Sequence, residues 1–192
     1  MSALRIGCVV LAAGIGSRFG SDKRQAVLSN GSTVLAQTLT SLESVFSERC
    51  LVLRPGDDVL LKAYSTWSPV IAADAGLGMG HSLASVVPLL QSWDGMVVAL
   101  GDMPWVRPET FAQVRDALRR DSLVVPFYEG ERGNPVGIGS AFFADVAKLQ
   151  GDQGARALFS RFAEAIICLH VQDNGVLRDV DTPGALVDRS DL

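Results

Sequence analysis

The stretch IGCVVLAAGIGSRFGSDK, residues 6–23, decides the fold. Its first half is a run of β-branched and small apolar residues, the pattern of a strand buried on both faces. Its second half is a loop holding Gly14, Gly16 and Gly20 together with two cations, Arg18 and Lys23. A buried strand that feeds a basic, Gly-rich loop opens an α/β sheet whose ligands collect at the carboxyl ends of the strands. Glycines let the backbone turn tightly and bring its N–H groups to a phosphate, and the cations add fixed positive charge. An ordinary strand-to-helix turn accounts for the glycines alone, but not for the cations. Two familiar phosphate motifs fit less well: the dinucleotide fingerprint needs Gly where Phe19 stands, and the P-loop needs Gly-Lys-Ser/Thr where Gly20 is followed by Ser21.

Working outward, further apolar runs at 50–53, 70–73, 96–100, 123–125 and 166–171 join 6–13 as predicted strands. Helical periodicity falls between them. Ser32 is the expected cap of a helix whose apolar face is Val34, Leu35, Leu39, Leu42 and Phe46. Residues 82–90, 108–119, 141–149 and 155–162 read as four more helices, the second opening with Pro108 and Glu109. Alternation of this kind predicts an α/β protein with a mostly parallel sheet. It breaks at FYEGERGNPVGIGS, residues 127–140, where extended pieces around Gly130 and Gly133 predict a small hairpin or flap beside the sheet.

The chain has 192 residues, 48% hydrophobic and 20% charged, with a net charge of −4. These values predict one domain over 1–192 that buries a sizeable core without disulfides, and they exclude disorder as the main state. No apolar run reaches the roughly 20 residues of a spanning helix, so no membrane partner is expected. The N-terminal apolar stretch runs straight into the Gly-rich loop, which reads as a strand of a cytoplasmic protein and not as a signal peptide. The three cysteines, Cys8, Cys50 and Cys168, sit in strand-like runs and are expected to be buried thiols. Only two histidines, His81 and His170, stand far apart, which argues against a His-rich metal site. Acidic balance and the absence of a basic run argue against nucleic acid.

Three more loops follow predicted strands. VVALGDMPW, residues 97–105, ends its strand in Asp102, which is either a Mg²⁺ ligand or the cap of the next turn. ADAGLGMGHSL, residues 73–83, holds Gly76, Gly78 and Gly80, either a plain turn or a flexible loop that closes over a base or ribose. GVLRDVDTPGAL, residues 175–186, offers Asp179 and Asp181 ahead of Pro183, each a candidate N-cap. A basic loop, a strand-end Asp, a second Gly loop and a late Asp describe a nucleoside triphosphate and Mg²⁺ site better than a redox site.

In this order the residues resemble the MobA-like nucleotidyltransferases, within the Rossmann-like NTP transferases. LAAGIGSRFGSDK at 11–23 is similar to that family's signature loop. GLGMGHSLA at 76–84, ALGDMP at 99–104, RGNPVGI at 132–138, LQGDQGARAL at 149–158 and DVDTPGAL at 179–186 resemble more narrowly its molybdenum cofactor cytidylyltransferase branch. The resemblance implies a three-layer Rossmann-like sandwich of the nucleotide-diphospho-sugar transferase type. It implies that Leu11, Ala12 and Ala13 contact the base or ribose, that Gly14, Gly16, Ser17, Arg18 and Lys23 surround the triphosphate, and that Asp74, Gly78, Gly80 and Ser82 complete the nucleoside pocket. Asp102 and Asp181 are the implied Mg²⁺ ligands, Lys23, Arg18 and Asp102 the implied catalytic residues, and Arg132 and Asn134 the implied acceptor contacts. The implied reaction transfers CMP from CTP to the phosphate of molybdopterin, with a recipient molybdoenzyme or its chaperone as a partner. Two departures stand out: Asn134 where the branch often has His, and Arg24-Gln25 where apolar residues are commoner.

Rival readings are guanylyl transfer to the same acceptor, nucleotidyl transfer to a sugar or alcohol phosphate, an NADP-binding oxidoreductase with Arg54 facing a 2′-phosphate, and a cofactor-delivery module without catalysis.

Overall fold

The computed structural model describes residues 3–14 and 19–186. In chain order it contains β1 (Ile6–Leu11), α1 (Val34–Glu43), β2 (Arg49–Leu53), α2 (Asp58–Ala63), β3 (Val70–Ile71), α3 (Met79–Ala84), β4 (Gly95–Leu100) and α4 (Pro108–Ala117). Then follow β5 (Leu123–Tyr128), β6 (Glu131–Arg132), β7 (Val136–Gly139), α5 (Phe143–Val146), α6 (Arg156–Arg161) and β8 (Ile166–His170). The sheet order is β3-β2-β1-β4-β7-β5-β6, with β8 paired to β5. Pairs β1–β2, β1–β4, β2–β3 and β5–β8 are parallel, whereas β7 runs antiparallel to both β4 and β5.

Side chains that alternate along each strand build one core on each face. Cys8, Val10 and Ala12 of the first strand and its loop pack with Leu35, Leu39 and Leu42 of α1 and Phe111 and Val114 of α4. Val9, Leu11 and Ala13 point the other way, toward Leu83 of α3, Val146 of α5 and Leu158 of α6. The result is the expected three-layer sandwich. Within it Leu39 is 2% exposed, and truncation to Ala would cost about 2–5 kcal/mol.

Thr33, not Ser32, caps α1: its Oγ1 accepts from Ala36 N at 3.2 Å. The predicted helix at 82–90 is shorter and earlier, α3 followed by a 3₁₀ turn at Val87–Leu89, because Pro88 has no N–H to continue an α-helical ladder. The hairpin expected within 127–140 is formed by β5 and β6. Its two loop residues, Glu129 and Gly130, have φ of 48° and 86°, the paired left-handed conformation of a tight hairpin. The same stretch also supplies β7, which enters the sheet between β4 and β5.

Cys8 and Cys50 are buried as expected, and burial raises both thiols, Cys50 to about 12. Cys168 is exposed, which corrects its sequence reading. It lies on β8, which pairs with β5 alone and leaves Ile167, Cys168 and His170 open. No helix among the described residues is long and apolar enough to cross a membrane.

Candidate active site

Strands β1 and β4 are neighbours, and the connections from them leave in opposite directions across the sheet. Such a switch point opens a crevice at the strands' carboxyl ends. Here it is a cavity of about 450 Å³, lined by Leu11, Ala12, Ala13, Gly14 and Lys23 on one side and Leu100, Gly101 and Asp102 on the other. Gly76, Gly78, Met79 and Ser82 form its third wall, and Asp152, Asp179 and Asp181 close it.

Local structure explains how the charged groups converge. Asp22 caps a single 3₁₀ turn, Lys23–Gln25, by accepting from Arg24 N at 3.1 Å. That turn sends the Lys23 side chain into the cavity, where Nζ lies 2.6 Å from Asp102 Oδ2 and 2.8 Å from Asp181 Oδ1. The C-terminal segment is tied to the Asp102 loop because Val180 N donates to Asp102 O at 2.9 Å. Val180 is fully buried against Leu28 and Val34. In an extended segment its two neighbours project from the opposite side, which brings Asp179 and Asp181 together.

Asp102, Asp179 and Asp181 each offer a carboxylate oxygen, and these lie within 4.8 Å of one another. Burial works against the Lys23 ammonium, but the charge and hydrogen bond of Asp102, with those of Asp181, outweigh it and hold its pKa above the ordinary value. Burial and then the charges of Asp181 and Asp102 push the Asp179 carboxyl above its ordinary range. Asp102 Oδ1 is buried and accepts no hydrogen bond among the described residues. An orphaned carboxylate oxygen among two further carboxylates fits a hard divalent cation, which takes oxygen ligands.

The second Gly loop is shaped by a neighbouring chain segment. Gly78 has φ of 120°, and a β-carbon there would collide with the backbone carbonyl of Gly151. Gly80 N donates to Gly151 O at 2.7 Å, and His81 Nδ1 accepts from Gly151 N at 3.2 Å. The loops at 76–81 and 150–154 therefore clasp each other across the cavity mouth.

A second cavity of about 750 Å³ adjoins the first and shares Leu11, Met79, Leu100, Asp152 and Asp179 with it. Val98, Val136 and Phe159 give it an apolar floor, and Arg132, Asn134, Gln153 and Arg156 a polar rim. The Arg132 guanidinium sits 5.4 Å from the Phe159 ring centre and 6.0 Å from that of Phe127, a cation–π arrangement that holds it over the cavity.

Of the residues singled out in the sequence, Leu11, Ala12, Ala13, Gly14, Lys23, Gly78, Ser82, Asp102 and Asp181 converge on the first cavity, and Arg132 and Asn134 on the second. Gly80 is buried beneath the 150–154 segment, and Asp74 is exposed beyond the cavity wall. Gly16, Ser17 and Arg18 lie outside the described residues. Arg54 donates to Gly14 O at 2.7 Å and to Asp22 Oδ2 at 3.2 Å, so it braces the first loop instead of facing a nucleotide 2′-phosphate. Asp152, Gln153 and Arg156 also line the second cavity, and the signal for them in the sequence is the GDQGAR stretch within the motif at 149–158.

Known proteins are similar to this chain in sequence or in structure. The purine catabolism protein PucB of Bacillus subtilis (strain 168) is 31% identical over 188 residues, covering 91% of each chain. The bifunctional protein GlmU of Cereibacter sphaeroides is 32% identical over 135 residues, but these span 67% of this chain and only 30% of GlmU. The crystal structure of Rv0371c from Mycobacterium tuberculosis H37Rv superposes with a TM-score of 0.83 at 29% identity, covering 96% of both chains. A structure of Rv0371c in complex with manganese superposes with a TM-score of 0.75 at 26% identity, covering 88% of this chain and 89% of the other. Residues 8–166, from the first strand to the start of β8, match the MobA-like NTP transferase domain, and the chain therefore belongs to that family of nucleotidyltransferases.

Proposed function

We propose that this nucleotidyltransferase moves CMP from CTP to the terminal phosphate of molybdopterin and releases pyrophosphate. The observation that carries the reading is the junction of the two cavities. A cation, Lys23, and three carboxylates stand where a triphosphate in the first cavity would meet an acceptor in the second. The finer choice of base and acceptor rests on the motifs at 76–84, 132–138 and 149–158.

In the proposed reaction an acceptor phosphate oxygen attacks the α-phosphorus of CTP, and the bond to the β-phosphate breaks, its electron pair leaving with pyrophosphate. A phosphate monoester is already anionic at neutral pH, so no strong general base is required. What the protein supplies is placement and charge. The Ala12–Gly14 backbone and the loop at 76–82 hold the nucleoside, and Lys23 neutralises charge on the triphosphate. Arg132, held by its two phenylalanines, and Asn134 orient an anionic acceptor with a planar, partly apolar body above Val98 and Val136. Asp102, with Asp181 and Asp179, would hold a divalent cation, Mg²⁺ or Mn²⁺. When bound, such an ion supplies neutralisation of phosphate charge.

Calorimetric titration with CTP, GTP, UTP and NADPH, each with and without Mg²⁺, tests the nucleotide part. Cation-dependent preference for CTP is expected. Preference for GTP or UTP would change the donor, and NADPH binding without triphosphate binding would overturn the reading.

A further inference from the structure

A charged network lies behind the wall of the first cavity, which Arg24 helps to line, and it is separate from the Asp102, Asp179 and Asp181 cluster and from the acceptor cavity. Arg24 is only 4% exposed. Its guanidinium donates to Asp22 Oδ1 at 2.8 Å and Oδ2 at 2.6 Å, to both oxygens of the buried Asp57, and from Nη1 to the carbonyl of Ala12 at 2.7 Å. Arg54 closes the ring: its Nη2 reaches Asp22, its backbone N donates to Asp57 Oδ2 at 3.0 Å, and its Nη1 donates to Gly14 O at 2.7 Å. Two arginines and two aspartates thus satisfy one another, and their two remaining bonds end on carbonyls of the cavity wall.

Those bonds complete the immobilisation of residues 11–14. Leu11 O accepts from Gly101 N and Ala12 N donates to Val52 O, both at 2.9 Å. In a trans peptide the N–H points opposite to the C=O, so fixing Ala12 O toward Arg24 fixes Ala13 N–H on the far side. That amide is buried and has no hydrogen-bond partner among the described residues. A pre-aimed donor in a cavity wall that meets no acceptor among the described residues is suited to a ligand acceptor.

We infer that Arg24, Arg54, Asp22 and Asp57 are a positioning network that presets the backbone of residues 11–14 for the nucleotide, an inference that rests on the nucleotide reading of the first cavity. Core packing does not need such a network: apolar side chains of similar volume commonly replace a buried ion pair without loss of stability. Aiming a backbone donor does need it, because only a charged fork can hold two carboxylates and a carbonyl at once.

The test uses the full chain with Arg54→Gln, Arg54→Lys and the charge-neutral pair Arg24→Met with Asp57→Asn, the pair guarding against the unfolding that one unpaired buried charge would cause. Calorimetry gives Kd for Mg²⁺–CTP, steady-state assays give kcat and both KM values, and thermal denaturation monitors the fold. The expected result for Arg54→Gln and for the pair is about tenfold weaker CTP binding and a matching rise in its KM, the size of one lost charge-assisted hydrogen bond. Acceptor KM stays unchanged, and Arg54→Lys recovers part of the affinity by donating one ammonium N–H to Gly14 O. CTP binding as tight as wild type in both variants would overturn the inference. So would a fall in melting temperature and kcat at constant KM, which marks a role in folding alone. Wild-type protein that binds no nucleotide would instead overturn the reading on which the inference stands.

Discussion

Lys23 Nζ lies 2.6 Å from Asp102 Oδ2, so a loop that follows β1 and a loop that follows β4 meet in one ion pair at the sheet's switch point. The pair also reaches Asp181 at 2.8 Å, which joins the two loops to the C-terminal segment. The same ammonium stands among the carboxylates that fit a divalent cation, so Lys23 would compete with a bound cation for Asp102 and Asp181.

Competition predicts opposite effects on binding and turnover. Lys23→Met removes the competing charge, and Mn²⁺ titration of the nucleotide-free protein, followed by calorimetry, should give tighter binding than wild type. Turnover of the same variant should fall about 10²- to 10³-fold, the usual loss when one group stabilising transition-state charge is deleted.

Asp102→Asn should lower cation-dependent turnover by a similar factor of about 10² to 10³. Its fold should survive, because Oδ1 of Asp102 has no hydrogen-bond partner among the described residues and Lys23 remains paired with Asp181. Circular dichroism and thermal melting beside the rate assay separate the two effects, and near-normal turnover would remove Asp102 from the metal site.

Gly78→Ala tests the clasp between the loops. A β-carbon at φ of 120° strains the backbone and collides with Gly151, so a stability loss of about 1–3 kcal/mol is expected. Because Gly78 lines the first cavity and Asp152 lines both, KM should rise for nucleotide and acceptor together. Gly76→Ala, where nothing among the described residues lies within 4 Å of the added carbon, is the control for stability alone and should leave the melting temperature unchanged.

The network beneath the first cavity has a pH signature. Hydrogen bonds from Arg24 hold the Asp22 carboxyl below its ordinary value, with the Arg24 and Arg54 charges adding to the effect despite partial burial. A depressed carboxylate contributes stability that is fully present above its unfolded pKa, about 3.9, and is lost as pH falls through its lower folded value. Melting curves should therefore show wild type more stable than Asp22→Asn near neutral pH, with the difference shrinking below about pH 4.

The parts of this site that were legible in the sequence are those fixed by chain-local rules. The run at 6–13 had to be a buried strand, and a loop that leaves its carboxyl end had to reach the crevice, so Gly14, Lys23 and Asp102 could be placed together without coordinates. Arg24 was visible only as a departure from the family pattern. Its partner Asp57 is 33 residues away and its acceptor Ala12 lies behind it, a pairing that periodicity does not encode. Gly80 read as part of a flexible loop, yet it is a glycine because the 150–154 segment passes against it, a constraint that comes from the other end of the chain. Central placement of β7 was hidden as well, because an antiparallel strand inserted between β4 and β5 leaves no local mark beyond a short apolar run. Cys168 shows the reverse error: a strand-like run says nothing about whether the strand ends at an edge.

CMP transfer to molybdopterin is tested directly by an assay with CTP labelled at the α-phosphate, molybdopterin and Mg²⁺, followed for labelled product and for pyrophosphate. Label should enter the pterin product in step with pyrophosphate release, and Asp102→Asn should slow both by about 10²- to 10³-fold. Pyrophosphate release with another donor or acceptor, but none with CTP and molybdopterin, would contradict the proposed substrates. Tight binding of both substrates with no transfer and no pyrophosphate would contradict catalysis itself.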